Sequence, residues 1–117
     1  MDKIKSHKDL KVWQESMNLV TKIYKVSEVF PRPEIYGLSS QIRRAAVSIP
    51  SNIAEGAGRK GENEFVRFLY IALGSLSEVE TQLEISLRLN YIKDIEEINK
   101  NIYFIRNMLV NLIKSLK

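Results

Sequence analysis

The sequence predicts an all-α protein, an antiparallel up-down-up-down bundle of four helices that forms one domain over residues 1–117. Apolar residues recur at spacings of three and four in four long segments, which is the period of an amphipathic helix. No segment shows the period-two alternation of a half-buried strand, and no Asn-Gly or Asp-Gly hairpin turn occurs. The segments between the predicted helices are short, and short connections make consecutive helices antiparallel neighbours.

Prolines separate the first two predicted helices. The first is expected from about residue 7 to residue 29, and it ends before Pro31 and Pro33 because the residue that precedes a proline disfavours helical backbone angles. The second is expected to begin at Pro33 and Glu34, since proline and an acid suit a first turn, and to end at a run of glycines. The predicted core stripe of the first helix is Leu10, Trp13, Met17, Val20 and Tyr24, and that of the second is Leu38, Ile42, Ala45, Ile49 and Ile53.

Polar residues mark the starts of the last two predicted helices. Asn63 is the expected N-cap of the third, which reaches about Leu89. Asp94 and Glu97 form a D-x-x-E variant of the capping box before the fourth, whose heptad pattern is typical of bundles. The third stripe is Phe65, Leu69, Ala72, Leu76, Val79 and Leu83, and the fourth is Ile95, Ile98, Ile102, Ile105, Leu109, Leu112 and Leu116.

The segment from Arg43 to Arg59 departs most from an ordinary surface helix. Pro50 removes a backbone hydrogen bond to Ala46, and small residues crowd around it on both sides. Small side chains allow two helix axes to approach closely. The segment therefore predicts a closely packed neighbour or a function.

Apolar residues outside the main stripes predict a contact between subunits. A bundle on its own needs one stripe per helix, so a second set is typical of an oligomer. The alternative is a single core stripe about 100° or more wide. The interface candidates are Val47, Pro50, Ala54, Phe68 and Ile71, and Tyr103, Phe104 and Met108 broaden the fourth stripe in the same way.

Basic residues are concentrated in the first half of the chain. Residues 1–60 hold 11 lysines and arginines against 6 aspartates and glutamates, whereas residues 61–117 hold 7 against 8. This asymmetry favours an anionic partner, RNA or DNA, although a solvated surface accounts for it as well. The candidate phosphate contacts are Arg43, Arg44, Arg59 and Lys60. The alternative is a set of ion pairs, Arg59 with Glu55, and Arg43 or Arg44 with Glu78, Glu80 or Glu84.

The residues of enzyme and metal chemistry are scarce. The chain has no cysteine, and its one histidine, His7, has no second histidine to complete a transition-metal site or a Ser-His-Asp triad. Residues 56–61 spell G-x-G-x-x-G, and Glu80 follows at the distance of a ribose-binding acid. The motif is nevertheless expected after a helix, whereas a dinucleotide site requires it after a strand. We therefore expect no catalytic residue, no metal and no cofactor.

Targeting and membrane segments are not expected. No run reaches the roughly 18 apolar residues of a membrane span. The first residues hold no apolar core of signal-peptide length, and the lack of cysteine fits a reducing compartment. These features favour a cytoplasmic protein that has no contact with membranes.

Three segments, KDLKVWQ at 8–14, GLSSQIRRAAVSIPSNIAEGAGR at 37–59 and RFLYIALGSLSEVETQLE at 67–84, resemble the bacterial 23S rRNA intervening-sequence protein family. The resemblance implies a four-helix bundle that assembles into a homopentameric ring. It also implies a relation to the accessory subunit of diversity-generating retroelements, a basic pentamer that binds nucleic acid and a reverse transcriptase. No enzymatic chemistry is implied. The function expected is binding of structured RNA or DNA by an oligomer; a ring that docks a protein partner is the alternative.

Overall fold

The structure, a computed structural model, describes residues 6–117. Residues 1–5, whose two lysines belong to the basic first half, lie outside this part. Within residues 6–117 the chain is helical and contains no strand. The helices are α1 (Lys11–Ser27), α2 (Leu38–Ala57), α3 (Glu62–Arg88) and α4 (Glu96–Leu116), with short 3₁₀ turns at His7–Asp9 and Arg32–Tyr36.

The four helices enclose one hydrophobic core. Helix α2 packs between α1 and α3, and α4 contacts both α3 and α1, so each helix has two neighbours. The stripes predicted for α2 and α3 lie largely in this core, as does the fourth stripe from Ile95 to Leu109. Near its end α4 turns Ile113 inward, with Leu112 and Leu116 at the core's edge.

The face predicted for α1 is shifted by one position, although Leu10 is buried as predicted and Trp13 and Val20 pack at the core's edge. Met17 and Tyr24 are 40% and 44% exposed, and the buried residues lie one position earlier on the helix. Two of these are serines, and both satisfy their hydroxyls within the helix: Ser16 Oγ donates to the Val12 carbonyl at 2.7 Å and Ser27 Oγ to the Tyr24 carbonyl at 3.1 Å. A serine bonded in this way loses much of the cost of burial. The buried face of α1 is Val12, Ser16, Leu19, Ile23 and Ser27.

The predicted helix starts also need correction. Helix α3 begins at Glu62 after Gly61, whose φ of 89° is a left-handed conformation that favours glycine, so Asn63 is not the cap. Helix α4 begins at Glu96, and no capping box forms. Asp94 Oδ1 accepts a 2.9 Å hydrogen bond from the Glu96 amide instead, and Glu97 lies 3.6 Å from Lys22 on α1.

The close approach predicted for α2 occurs at Gly56. A Cβ at this glycine would lie 2.7 Å from Phe68 Cβ and 3.0 Å from Phe65 Cδ1 on α3. Pro50 is buried inside α2, which continues through it. The small residues therefore serve contact between helices of the same subunit.

Candidate nucleic-acid interface

The four predicted cations do not form one site. Arg43 and Arg44 are adjacent on α2, where consecutive side chains point about 100° apart. Arg43 contacts residues of α1, whereas Arg44 lines a groove shared with α3. Arg59 and Lys60 lie beyond the end of α2, in its connection to α3. The structure therefore offers three separate basic positions.

Arg43 is held in place by α1. Its Nε donates a 2.7 Å hydrogen bond to Ser27 Oγ, and its guanidinium carbon lies 4.9 Å from the centre of the Tyr24 ring. Within residues 6–117 no carboxylate forms an ion pair with it. The expected pair with a glutamate of α3 is wrong, because Arg43 lies on the α1 side of α2.

Arg43 also lines an open groove of about 280 Å³ at the α1–α2 connection. Arg32 lies in the same groove, and Glu28 is the one carboxylate that lines it. Tyr24, beside Arg43, is partly exposed, so the surface joins an aromatic ring to basic groups. Sequence reasoning missed Arg32 and Tyr24. Since Tyr24 fits the apolar spacing of α1, only the helix rotation reveals that it is accessible.

The predicted ion pair between Arg59 and Glu55 is confirmed, with nitrogen and oxygen 3.0 Å apart. The Arg59 guanidinium lies 5.3 Å from the centre of the Phe68 ring. Arg67 lies 4.6 Å from the same ring and pairs with Glu64 at 3.2 Å. Carboxylates therefore neutralise both arginines at this end of the molecule, and Lys60 is an exposed cation next to them.

Arg44 is exposed and forms no ion pair within residues 6–117. It shares a groove with Glu78, but the expected pairing with an α3 glutamate is wrong. Glu80 binds Arg106 of α4 at 2.8 Å, and Glu84 binds Arg88 at 2.9 Å. Two of the three glutamates are thus occupied elsewhere.

The predicted interface residues divide into two groups. Pro50 and Phe68 are buried within the subunit, Phe68 with 8% of its surface exposed, because α2 and α3 pack so closely at Gly56. These two residues therefore have almost no surface left for a second copy. Val47 and Ile71 are each 40% exposed, and Ala54 is half-buried. The exposed part of the candidate interface is on the outer faces of α2 and α3.

Outside these basic positions, one carboxylate has a shifted pKa. Glu34 accepts hydrogen bonds from the Leu38 amide at 3.0 Å and from the Tyr91 hydroxyl at 2.7 Å. The amide bond and then the tyrosine bond hold the pKa of Glu34 below its usual range, because both favour the carboxylate. The same hydrogen bond raises the pKa of Tyr91. This pair joins two connections of the bundle.

The described residues supply few side chains that could bind a metal ion or a cofactor. In the described part of the chain, no cluster of three or more His, Cys, Asp or Glu side chains is arranged to hold a metal ion. The G-x-G-x-x-G segment begins in the last turn of helix α2 and so follows a helix, as expected, and Glu80 lies mid-helix in α3. No helix among residues 6–117 is long and apolar enough to cross a membrane.

The fold defines the molecule as a small all-α protein of the four-helix class. A family model described as 23S rRNA-intervening sequence protein matches residues 8–111, and the chain belongs to that family. Among solved structures, it is similar to a protein of unknown function from the S23 ribosomal protein family of Bacteroides thetaiotaomicron. The two share 29% identity over 88% of this chain and 98% of the other, with a TM-score of 0.81. No match was found among curated proteins.

Proposed function

We propose that the protein is a non-enzymatic, oligomeric bundle that binds structured RNA or DNA through the basic surface around Arg43. Antiparallel helices are part of the proposal, and two contacts between α2 and α3 support them. Ser48 Oγ lies 2.8 Å from Ser75 Oγ, while Gly56, eight residues later, approaches Phe68, seven residues earlier. The family resemblance suggests five copies in a ring, in the bacterial cytoplasm.

The observation that carries the proposal is that Arg43 is held in position but forms no ion pair among the described residues. Its guanidinium group is held in position by Ser27 and Tyr24, and no carboxylate of the described chain forms an ion pair with it. The bond to Ser27 uses only Nε, so the terminal nitrogens remain for a ligand. A planar guanidinium matches two phosphate oxygens, and a side chain that is already ordered loses little entropy on binding.

Assembly would strengthen this surface. One subunit offers few phosphate contacts, and each contact is weak at physiological salt. In a ring the copies engage one nucleic acid together, which raises the effective concentration at the later sites. Arg32 in the same groove would extend each contact.

Filter binding of a labelled RNA hairpin over a series of salt concentrations tests the proposal. Arg43→Gln is expected to weaken binding and to lower the slope of log affinity against log salt by about 0.7–0.9 for each contact that a subunit loses. Arg44→Gln is the matched control, because it removes the same charge one residue away on another face. Circular dichroism and the mass of the assembly accompany each variant.

Equal losses for the two variants would contradict the assignment to Arg43, since only overall charge would then matter. No retention of RNA or of duplex DNA by the folded wild type, even at low salt, would overturn the proposal. A ring that docks a protein partner would then be the better function. The exposed apolar side chains Val29 and Ile35 in the α1–α2 connection favour that second candidate.

A further inference from the structure

A groove runs along the outer face between α2 and α3. Two adjoining cavities of about 460 and 350 Å³ form it, and Gln41, Glu78 and Gln82 line both. Ile85 lines it at 41% exposure. Arg44 also lines the larger cavity, so the groove holds one cation beside Glu78. It thus combines an apolar border with charged and hydrogen-bonding groups, which is the character of a contact surface.

Gln82 has an unmet hydrogen bond in this groove. Its side chain is 9% exposed, and its Oε1 is buried without a hydrogen-bond partner in the described chain. A buried acceptor without a donor is costly, and such atoms are rare in folded proteins. Since this atom is itself closed to solvent, a donor can reach it only when neighbouring side chains of the groove move.

Gly74 leaves a notch in the wall of the same groove. It lies in the middle of α3, and a Cβ built on it would meet no atom within 4 Å. Glycine inside a helix is less favourable than alanine, and nothing in the subunit requires it at this position. An exposed helix position without a side chain allows another helix to approach closely.

The outer face of α4 projects outward, in contrast to the recessed groove between α2 and α3. Tyr103 and Phe104 project from it at 61% and 58% exposure, with their ring centres 5.9 Å apart. The other members of this exposed face are Lys100, Asn107, Asn111 and Lys114. Between Lys100 and Lys114 the face therefore offers an aromatic ridge and hydrogen-bond donors and carries no carboxylate; Glu96 lies one turn before Lys100 on the same side of the helix.

We propose that the α2–α3 groove of one subunit receives the α4 face of a second copy, with Phe104 at the Gly74 notch. This inference rests on the oligomer of the proposed function and names the two surfaces that meet. Lys100 lies one helical turn before Phe104 and Glu78 lies one turn after Gly74, so an antiparallel approach of the two helices would set Lys100 against Glu78.

The contact is heterologous, because the two surfaces differ. An open chain of copies keeps a free groove at one end and a free ridge at the other. The ring of the proposed function requires that the rotation between neighbouring copies bring these two ends together.

The absence of cysteine from the chain gives a test without background. Gly74→Cys and Phe104→Cys proteins are mixed, allowed to exchange subunits and treated with a short bifunctional maleimide. A covalent dimer that contains one copy of each variant is the expected product. Gly74→Cys mixed with Met17→Cys, an exposed position on α1, is the control, and equal yields in the two mixtures would overturn the inference.

Light scattering after size exclusion gives the second measurement. Gly74→Leu fills the notch and should reduce the assembly to smaller species, although the subunit itself should melt at the same temperature or higher because a mid-helix glycine is lost. Glu78→Lys should weaken assembly at least tenfold, since it sets a cation against the α4 lysines. Met17→Ala is the control and should keep the wild-type mass.

The outcomes separate the two proposals. A monomeric wild type would overturn the oligomer and this contact together. An oligomeric wild type whose mass is unchanged in Gly74→Leu and Glu78→Lys would overturn the contact alone and leave the oligomer standing. Binding of RNA is measured separately and decides neither result.

Discussion

Tyr91 donates a 2.7 Å hydrogen bond to Glu34 Oε2, and so joins the connection after α3 to the connection before α2. The other carboxylate oxygen accepts from the Leu38 amide at 3.0 Å, in the first turn of α2. A single side chain therefore fixes the start of one helix and the end of another. Phe30 packs against Tyr91 with ring centres 5.7 Å apart, which closes this end of the bundle.

The hydrogen bonds of Glu34 predict that the stability of the folded protein decreases at acidic pH. The pKa of Glu34 is lowered in the folded chain, so its contribution is present above the usual carboxyl pKa and is lost as pH falls through the folded value. Melting temperatures measured from neutral pH down to pH about 3 should therefore fall less steeply for Glu34→Gln than for the wild type. Parallel curves would show that Glu34 does not contribute to the acid sensitivity.

Gly56→Ala should destabilise the bundle because the new methyl group has no room. Its Cβ would lie 2.7 Å from Phe68 Cβ, and overpacking of this kind costs about 1–3 kcal/mol. Gly58→Ala is the control, since its Cβ would lie 3.6 Å from the nearest atom, which is an ordinary contact. Urea unfolding measures both, and similar free energies for the two variants would refute the close approach at Gly56.

Two substitutions on α1 test which face is buried. Leu19 is 1% exposed, so Leu19→Ala should lower the free energy of unfolding by about 2–5 kcal/mol. Met17 is 40% exposed, and Met17→Ala should change it by about 0.5 kcal/mol or less in the isolated subunit. Chemical denaturation at low protein concentration distinguishes them. The reverse order would restore the face expected from hydrophobic spacing.

Calorimetry with NAD, ATP and zinc tests the interpretation of the glycine-rich segment. The segment connects two helices, and Arg59 within it pairs with Glu55, so no cradle for a pyrophosphate is expected. None of the three ligands should give saturable heat. Stoichiometric binding of any one would reopen the question of a cofactor.

Much of the fold was predictable from the sequence by itself. The period of apolar residues located all four helices, and the stripes of α2 and α3 were right because isoleucine, leucine and alanine fill them. Helix α1 failed because Ser16 and Ser27 occupy its buried face. A prediction based on hydrophobicity places a serine on the exposed face. A carbonyl one turn earlier in the same helix can nevertheless accept a hydrogen bond from its hydroxyl and so allow its burial.

The candidate site depended on information that the sequence did not contain. Arg43 and Arg44 are identical and adjacent in the sequence, yet one is bound by Ser27 and Tyr24 and the other lies in the groove with Gln82. Local spacing determined that α2 is a helix with small residues, and it correctly placed the Arg59 pair with Glu55, four residues apart. Only the packing of α2 between α1 and α3 decided which of the two arginines is held in place by α1, because that contact depends on side chains far away in the chain.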